Sequence, residues 1–151
     1  MHAALLMLHS WLRWIAVALA CVVIVQSFRA ASQKRAHGAM DARAGLFFMI
    51  SMDVQFLLGL LLYFVFSPMT RIPMRLAMHH RVLRFWAVEH VSLMVLAVVF
   101  AHVARVRARR ASNDTVRHRR TGTWVLVSLI AMLAAMPWPF LAYGRPLLRT
   151  P

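Results

Sequence analysis

The chain has 151 residues, 62% of them hydrophobic, and carries 18 Lys and Arg against 4 Asp and Glu. Charged residues make up 15%, well under the roughly 25% usual in soluble domains, which points away from a soluble globular domain and towards an integral membrane protein. A formal charge of +14 would suggest nucleic acid in a soluble chain; here the arginines cluster between apolar runs, so topology and anionic lipid account for them and no nucleic-acid role is expected.

Four apolar runs, about 3–28, 45–67, 83–105 and 123–143, each reach the ~20 residues needed to cross a bilayer as a helix. A backbone in lipid must satisfy its own hydrogen bonds, which favours helix. The expected fold is therefore all-α: an integral membrane four-helix bundle, up-down-up-down, in a single domain over 1–151. The first run contains His9, Arg13 and the only cysteine, Cys21. No disulfide within the chain and no Cys-x-x-Cys-His haem attachment is possible. The stretch ALAC ending at Cys21 looks like a lipoprotein cleavage site, but no basic segment precedes it and the apolar run continues, so a retained helix is expected.

The connection to the second run, RAASQKRAHGAMDAR, has four Lys and Arg; the connection between the third and fourth, RVRARRASNDTVRHRR, has seven. The middle connection has four and the tail GRPLLRTP two. The heavier load on the first and third connections places them in the cytoplasm and both termini outside. Multi-pass insertion in a bacterial inner membrane is the expected setting. The second run carries Asp53, Gln55 and Gly59; the third carries Glu89, His90 and His102. In the fourth, MPWPF (136–140) has two prolines that should kink or end the helix.

Ionisable groups in a membrane span are costly and face the bundle interior or a partner. His9 and His90 fall at similar depth, about 10 Å and about 6 Å outward of the middle of their runs at ~1.5 Å per residue. His9 shares its face with Arg13, Ala16, Ala20 and Ser27, and His90 shares its face with Trp86, Met94, Ala97 and Ala101. Small and polar stripes of this kind face other helices. Two imidazoles opposed across a bundle can supply the axial ligands of one haem b. Gly59, near the same level, would let a flat group approach the backbone, and Arg13 could pair with a propionate or with Glu89. The plainer alternatives are an Arg13–Glu89 ion pair, a glycine that only lets helices pack, and histidines that bond neighbours; His–Met ligation through Met94 or Met7 is a further one. His102 is rotated about 120° from His90, which suggests a hydrogen bond on the cytoplasmic side, a quinone site or a proton path. Asp53 lies opposite Gln55 and Gly59 on an otherwise lipid-like face with Met49, Phe56, Leu57 and Leu60, which suggests contact with another subunit. His2, His37, His79, His80 and His118 receive no role.

The stretches LHSWLRW (8–14), DVQFLLGLLLYFVFSP (53–68), FWAVEHVSLM (85–94) and MPWPF followed by GRPLLR resemble a family of small four-span bacterial membrane proteins, sometimes labelled cytochrome b. The resemblance covers most of the chain and implies a role in membrane electron transfer or a respiratory chain. His9, Arg13, Gln55, Glu89 and His90 fall in its motifs. The paired histidines, two heptads apart on each of two helices, of the better known respiratory cytochromes b are not present, which limits the chain to one haem.

The leading expectation is a small monohaem cytochrome that passes electrons between quinol and a redox partner or serves within a larger complex. The alternatives are a cofactor-free accessory subunit of a membrane assembly and a pigment-binding subunit. No nucleophile–base constellation, phosphate loop or zinc motif suggests a stand-alone hydrolytic enzyme.

Overall fold

The computed structural model describes residues 2–148, without the side chains of residues 69 and 70; Arg149 of the tail lies outside the described residues. Every regular element among them is helical. Helix α1 spans His2–Ser32, α2 Ala39–Phe66, the short α3 Met74–His79, α4 Arg81–Arg109 and α5 Asp114–Ala134. Three of these, α1, α2 and α4, are long and apolar enough to cross a membrane.

The four long helices close a ring. α1 and α4 each pack against both α2 and α5, so α1 and α4 stand across the core from one another. Small residues set the spacing: Ala16, Ala20, Ala97 and Ser128 are wholly buried, as expected of close-packed helices in lipid. Ser128 Oγ donates to the Ala97 carbonyl at 2.6 Å, so this interior hydroxyl is satisfied on the facing helix. Phe48, Met52 and Met132 fill the wider levels.

Local chemistry fixes the helix ends. After α1 the chain turns through Lys34, whose φ of 52° is left-handed. The Arg35 N–H bonds the Ala30 carbonyl at 3.0 Å and the Lys34 N–H bonds that of Ala31 at 3.3 Å, the paired closure usually built on glycine. Lys34→Gly should therefore raise stability by ~0.5–1 kcal/mol, read as a higher unfolding midpoint in detergent. Asp41 accepts the Gly38 N–H at 2.9 Å at the start of α2. Asn113 Oδ1 accepts the Val116 N–H at 2.9 Å at the start of α5.

The fourth apolar run, expected over 123–143, is shifted. α5 begins nine residues earlier, at Asp114 behind its Asn113 cap, and ends at Ala134. Pro137 and Pro139 are the reason. A proline donates no N–H to the carbonyl four residues back and disfavours helix in the residue before it. Residues 136–148 then fold across the end of the bundle instead of continuing the helix.

At that same end, α2 and α4 each widen into one π-helical turn, Leu62–Phe66 and Phe85–Glu89. Such turns free backbone carbonyls and recur at functional sites. Tyr63 donates its hydroxyl to the Ala87 carbonyl at 2.7 Å, tying one turn to the other.

Candidate functional site

The helix-closing prolines create the central feature of the site. In a continuing helix the carbonyls of Leu133 and Ala135 would receive the N–H groups of residues 137 and 139. Pro137 and Pro139 supply neither, so Leu133 O accepts the Met136 N–H at 3.2 Å together with a side chain, and Ala135 O accepts a side chain. The Trp138 indole N–H donates to Leu133 O at 3.0 Å. Nδ1–H of His90 donates to Ala135 O at 2.7 Å. A backbone carbonyl accepts only, so this bond puts the His90 proton on Nδ1 and leaves the Nε2 lone pair free. Aromatic rings fix the imidazole further, with Phe85 and Trp86 centred 5.8 and 5.5 Å away.

His90 faces a cavity of about 370 Å³, towards the lower end of the ~300–1,000 Å³ range of small-ligand sites. His9, Arg13, Gln55 and Gly59 line it from α1 and α2, with Met94, Met132 and Met136 among its apolar walls. The two histidines thus share one cavity from opposite helices.

The wall opposite His90 is polar and incompletely paired. Gln55, 1% exposed, donates to the His9 carbonyl at 3.0 Å, and its Nε2 stands 3.2 Å from His9 Nε2. Three buried polar atoms around the cavity have no protein partner: Gln55 Oε1, His9 Nδ1 and Arg13 Nε. Each such orphan costs ~1–3 kcal/mol. All three belong to residues that line the one cavity. Gly59 sits against the His9 ring: a Cβ there would lie 3.3 Å from His9 Cε1. The glycine makes room for the imidazole.

Arg13 and Glu89 do not meet. Arg13 donates to the Leu147 carbonyl and lies 3.4 Å from Ser10 Oγ, while Trp14 Nε1 donates to the same carbonyl at 2.9 Å. Arg13 therefore fastens residues 145–148 over the mouth of the cavity, where Arg145 also stacks on Trp86 at 5.5 Å. Glu89 pairs with Arg84 at 2.6 Å. The π turn brings these residues, five apart, onto one side and keeps the acid local. His2, given no role from sequence, also lines the cavity and stacks on Phe66 at 5.5 Å.

Asp53 and His102 lie away from the cavity and bond one another across α2 and α4 at 2.8 Å. The sequence suggests another subunit for Asp53 and a hydrogen bond, a quinone site or a proton path for His102; in the structure each has the other as its hydrogen-bond partner. At the opposite end from the cavity, the His37 and His118 rings are 5.1 Å apart beside a void of about 10 Å³, room for about one water. His118 is 1% exposed and its Nε2 has no protein partner.

His37 lies between α1 and α2, where burial, and then the Arg117 guanidinium, push its pKa below the usual histidine value; Asp41 and Asp114 act weakly the other way and His118 adds to the lowering. Unfolded, this residue takes up its proton near pH ~6.5; folded, it does so only at lower pH. Its contribution to stability is thus present above about pH 6.5 and lost as the pH falls through the folded value. The melting temperature in detergent should drop between about pH 7.5 and about pH 5, and His37→Gln should reduce that drop.

Among the described residues, no three His, Cys, Asp or Glu side chains converge as ligands for a bare metal ion. Comparison with known protein families, with curated proteins and with solved structures gives no match to this chain.

Proposed function

We propose that the chain crosses a bacterial inner membrane four times, termini outside, and holds one haem b in the outer half of the bundle as a small electron-transfer protein. The observation that carries this reading is the His90 imidazole: its Nδ1–H is held by Ala135 O, and its Nε2 is left unbonded in a cavity that His9 enters from the facing helix. A carbonyl anchor of this kind is the usual support of a metal-ligating histidine.

The residues fit such a group unequally. His90 is ready as one axial ligand. His9 would serve as the second once the Gln55 amide turns away from its Nε2, and the orphaned Gln55 Oε1 and Arg13 Nε are the polar groups that a bound cofactor would engage. Bound haem supplies a one-electron couple at iron. The protein's share is to hold the imidazole, exclude water with Met94, Met132 and Met136, and close the outer mouth through the Arg13 and Trp14 bonds to Leu147 O. A quinol and a partner redox protein are the electron donors and acceptors this setting would offer.

The test is the reduced-minus-oxidised absorbance of protein purified from a haem-replete membrane. A haem b spectrum supports the reading; a folded, colourless protein overturns it. A second reading, a pigment-binding subunit, is favoured by the fact that, of His9 and His90, only His90 stands with a free Nε2, since one histidine suffices for the magnesium of a bacteriochlorophyll. The same spectrum distinguishes the two.

A further inference from the structure

His9 and His90 differ in the lone pairs they offer the cavity, and Gln55 makes the difference. Its amide Nε2 lies 3.0 Å from the His9 carbonyl and 3.2 Å from His9 Nε2. The carbonyl accepts only, so this end of the amide is the NH2 and not the oxygen. An amide NH2 has two hydrogens and nothing to accept with, so its second hydrogen goes to His9 Nε2. That nitrogen is therefore unprotonated, its lone pair is taken, and the ring proton sits on Nδ1. Neither nitrogen of His9 has a lone pair to give. His90 is the opposite case: Ala135 O fixes its proton on Nδ1 and leaves Nε2 open.

Position reinforces the bond. Gln55 and Gly59 are about one turn apart on α2, and together they receive the polar edge of the His9 ring. Nε2 meets the Gln55 amide, while Cε1 and Nδ1 lie against Gly59, 3.3 and 3.9 Å from where its Cβ would be. To reach an iron, His9 has to leave this recess and give up the amide. We infer that Gln55 is a positioning residue that withholds His9, so that a haem in the cavity is ligated through His90 and its opposite face is open to a small exogenous ligand. This rests on the haem reading for its ligand; the hold of Gln55 on His9 does not depend on it.

The experiment compares haem-loaded wild type, Gln55→Leu and the double variant Gln55→Leu/His9→Ala by absorbance and by titration of the reduced protein with carbon monoxide. Leucine keeps the bulk of the side chain and removes the donor. Wild type should be high-spin and bind carbon monoxide. Gln55→Leu should shift to a low-spin, two-imidazole spectrum and bind carbon monoxide about tenfold more weakly, the effect of losing hydrogen bonds of ordinary strength. The double variant should return to high spin and to wild-type affinity, a reversal that a merely structural role for Gln55 does not give. A low-spin wild type, a Gln55→Leu protein with unchanged spin state and affinity, or a double variant without the reversal would each overturn the inference. Long-range nitrogen–proton correlation NMR of cofactor-free wild type in detergent micelles reads the ring directly and needs no variant to fold: His9 should carry its proton on Nδ1, and a proton on Nε2 would defeat the proposal. A colourless protein with His9 in the Nδ1–H form would remove the haem reading while confirming the hold of Gln55 on His9.

Discussion

Replacing His90 by alanine should remove the haem spectrum altogether, and Pro139→Ala should weaken cofactor retention about tenfold while leaving the imidazole in place. The second expectation is the more discriminating. Alanine at 139 restores an N–H that can bond Ala135 O in the ordinary helical manner. That bond competes with Nδ1–H of His90 at 2.7 Å. Once the anchor is shared, the proton is no longer confined to Nδ1 and the ring is free to turn. Loss of a supporting bond of this type costs ~10–100-fold in metal affinity. The measurement is haem stoichiometry and absorbance after dialysis, with added imidazole expected to restore a spectrum to His90→Ala. Full retention in Pro139→Ala would show that the carbonyl does not govern the ligand. Glu89→Gln serves as the control, because Glu89 is occupied with Arg84 and should leave the spectrum unchanged.

Gly122→Leu should destabilise the fold by ~1–3 kcal/mol or more, and Gly122→Ala by less. A Cβ at Gly122 would lie 3.2 Å from Ser27 Cβ and from the edge of the Phe28 ring. Ser27 Cβ is fixed to the α1 backbone and cannot swing aside, so relief must come from moving α1 away from α5. That movement would also disturb the buried alanines packed between these helices. Unfolding midpoints in detergent would register the loss. A variant as stable as wild type would mean that the helices separate there without penalty.

Much of the architecture could be read from the residues. The first three apolar runs appear as α1, α2 and α4 because nothing inside them breaks a helix. The fourth run misled at both ends. Its N-terminal turns are polar, Asp114 to Arg120, and they become helical through the Asn113 cap, not through hydrophobicity. At the other end the prolines stop the helix before 136, where apolar composition alone would carry it to 143. Helical rise and face put His9 and His90 at neighbouring levels on inward stripes of their helices, and in the structure both line one cavity. The support of His90 was half legible: a proline four residues on announces a free carbonyl at Ala135, but only packing of α4 against α5 determines which side chain takes it. The partner of Asp53 was not legible at all, because it depends on the relative register of two helices.

The π turn at Phe85–Glu89 has a consequence for how the cavity wall can vary. Such a turn holds one residue more than the α-helix it interrupts, and each residue of an α-helix advances the azimuth by about 100°. The segment before the turn is therefore out of phase with the segment after it, and this phase difference lets Phe85 and His90 meet the same neighbours from consecutive turns. Excising a single residue such as Val88 would restore a regular screw but swing the preceding segment by roughly a quarter-revolution. Ring-for-ring substitutions can retune the wall around His90, whereas a one-residue deletion would dismantle it even though no ligand atom had been altered.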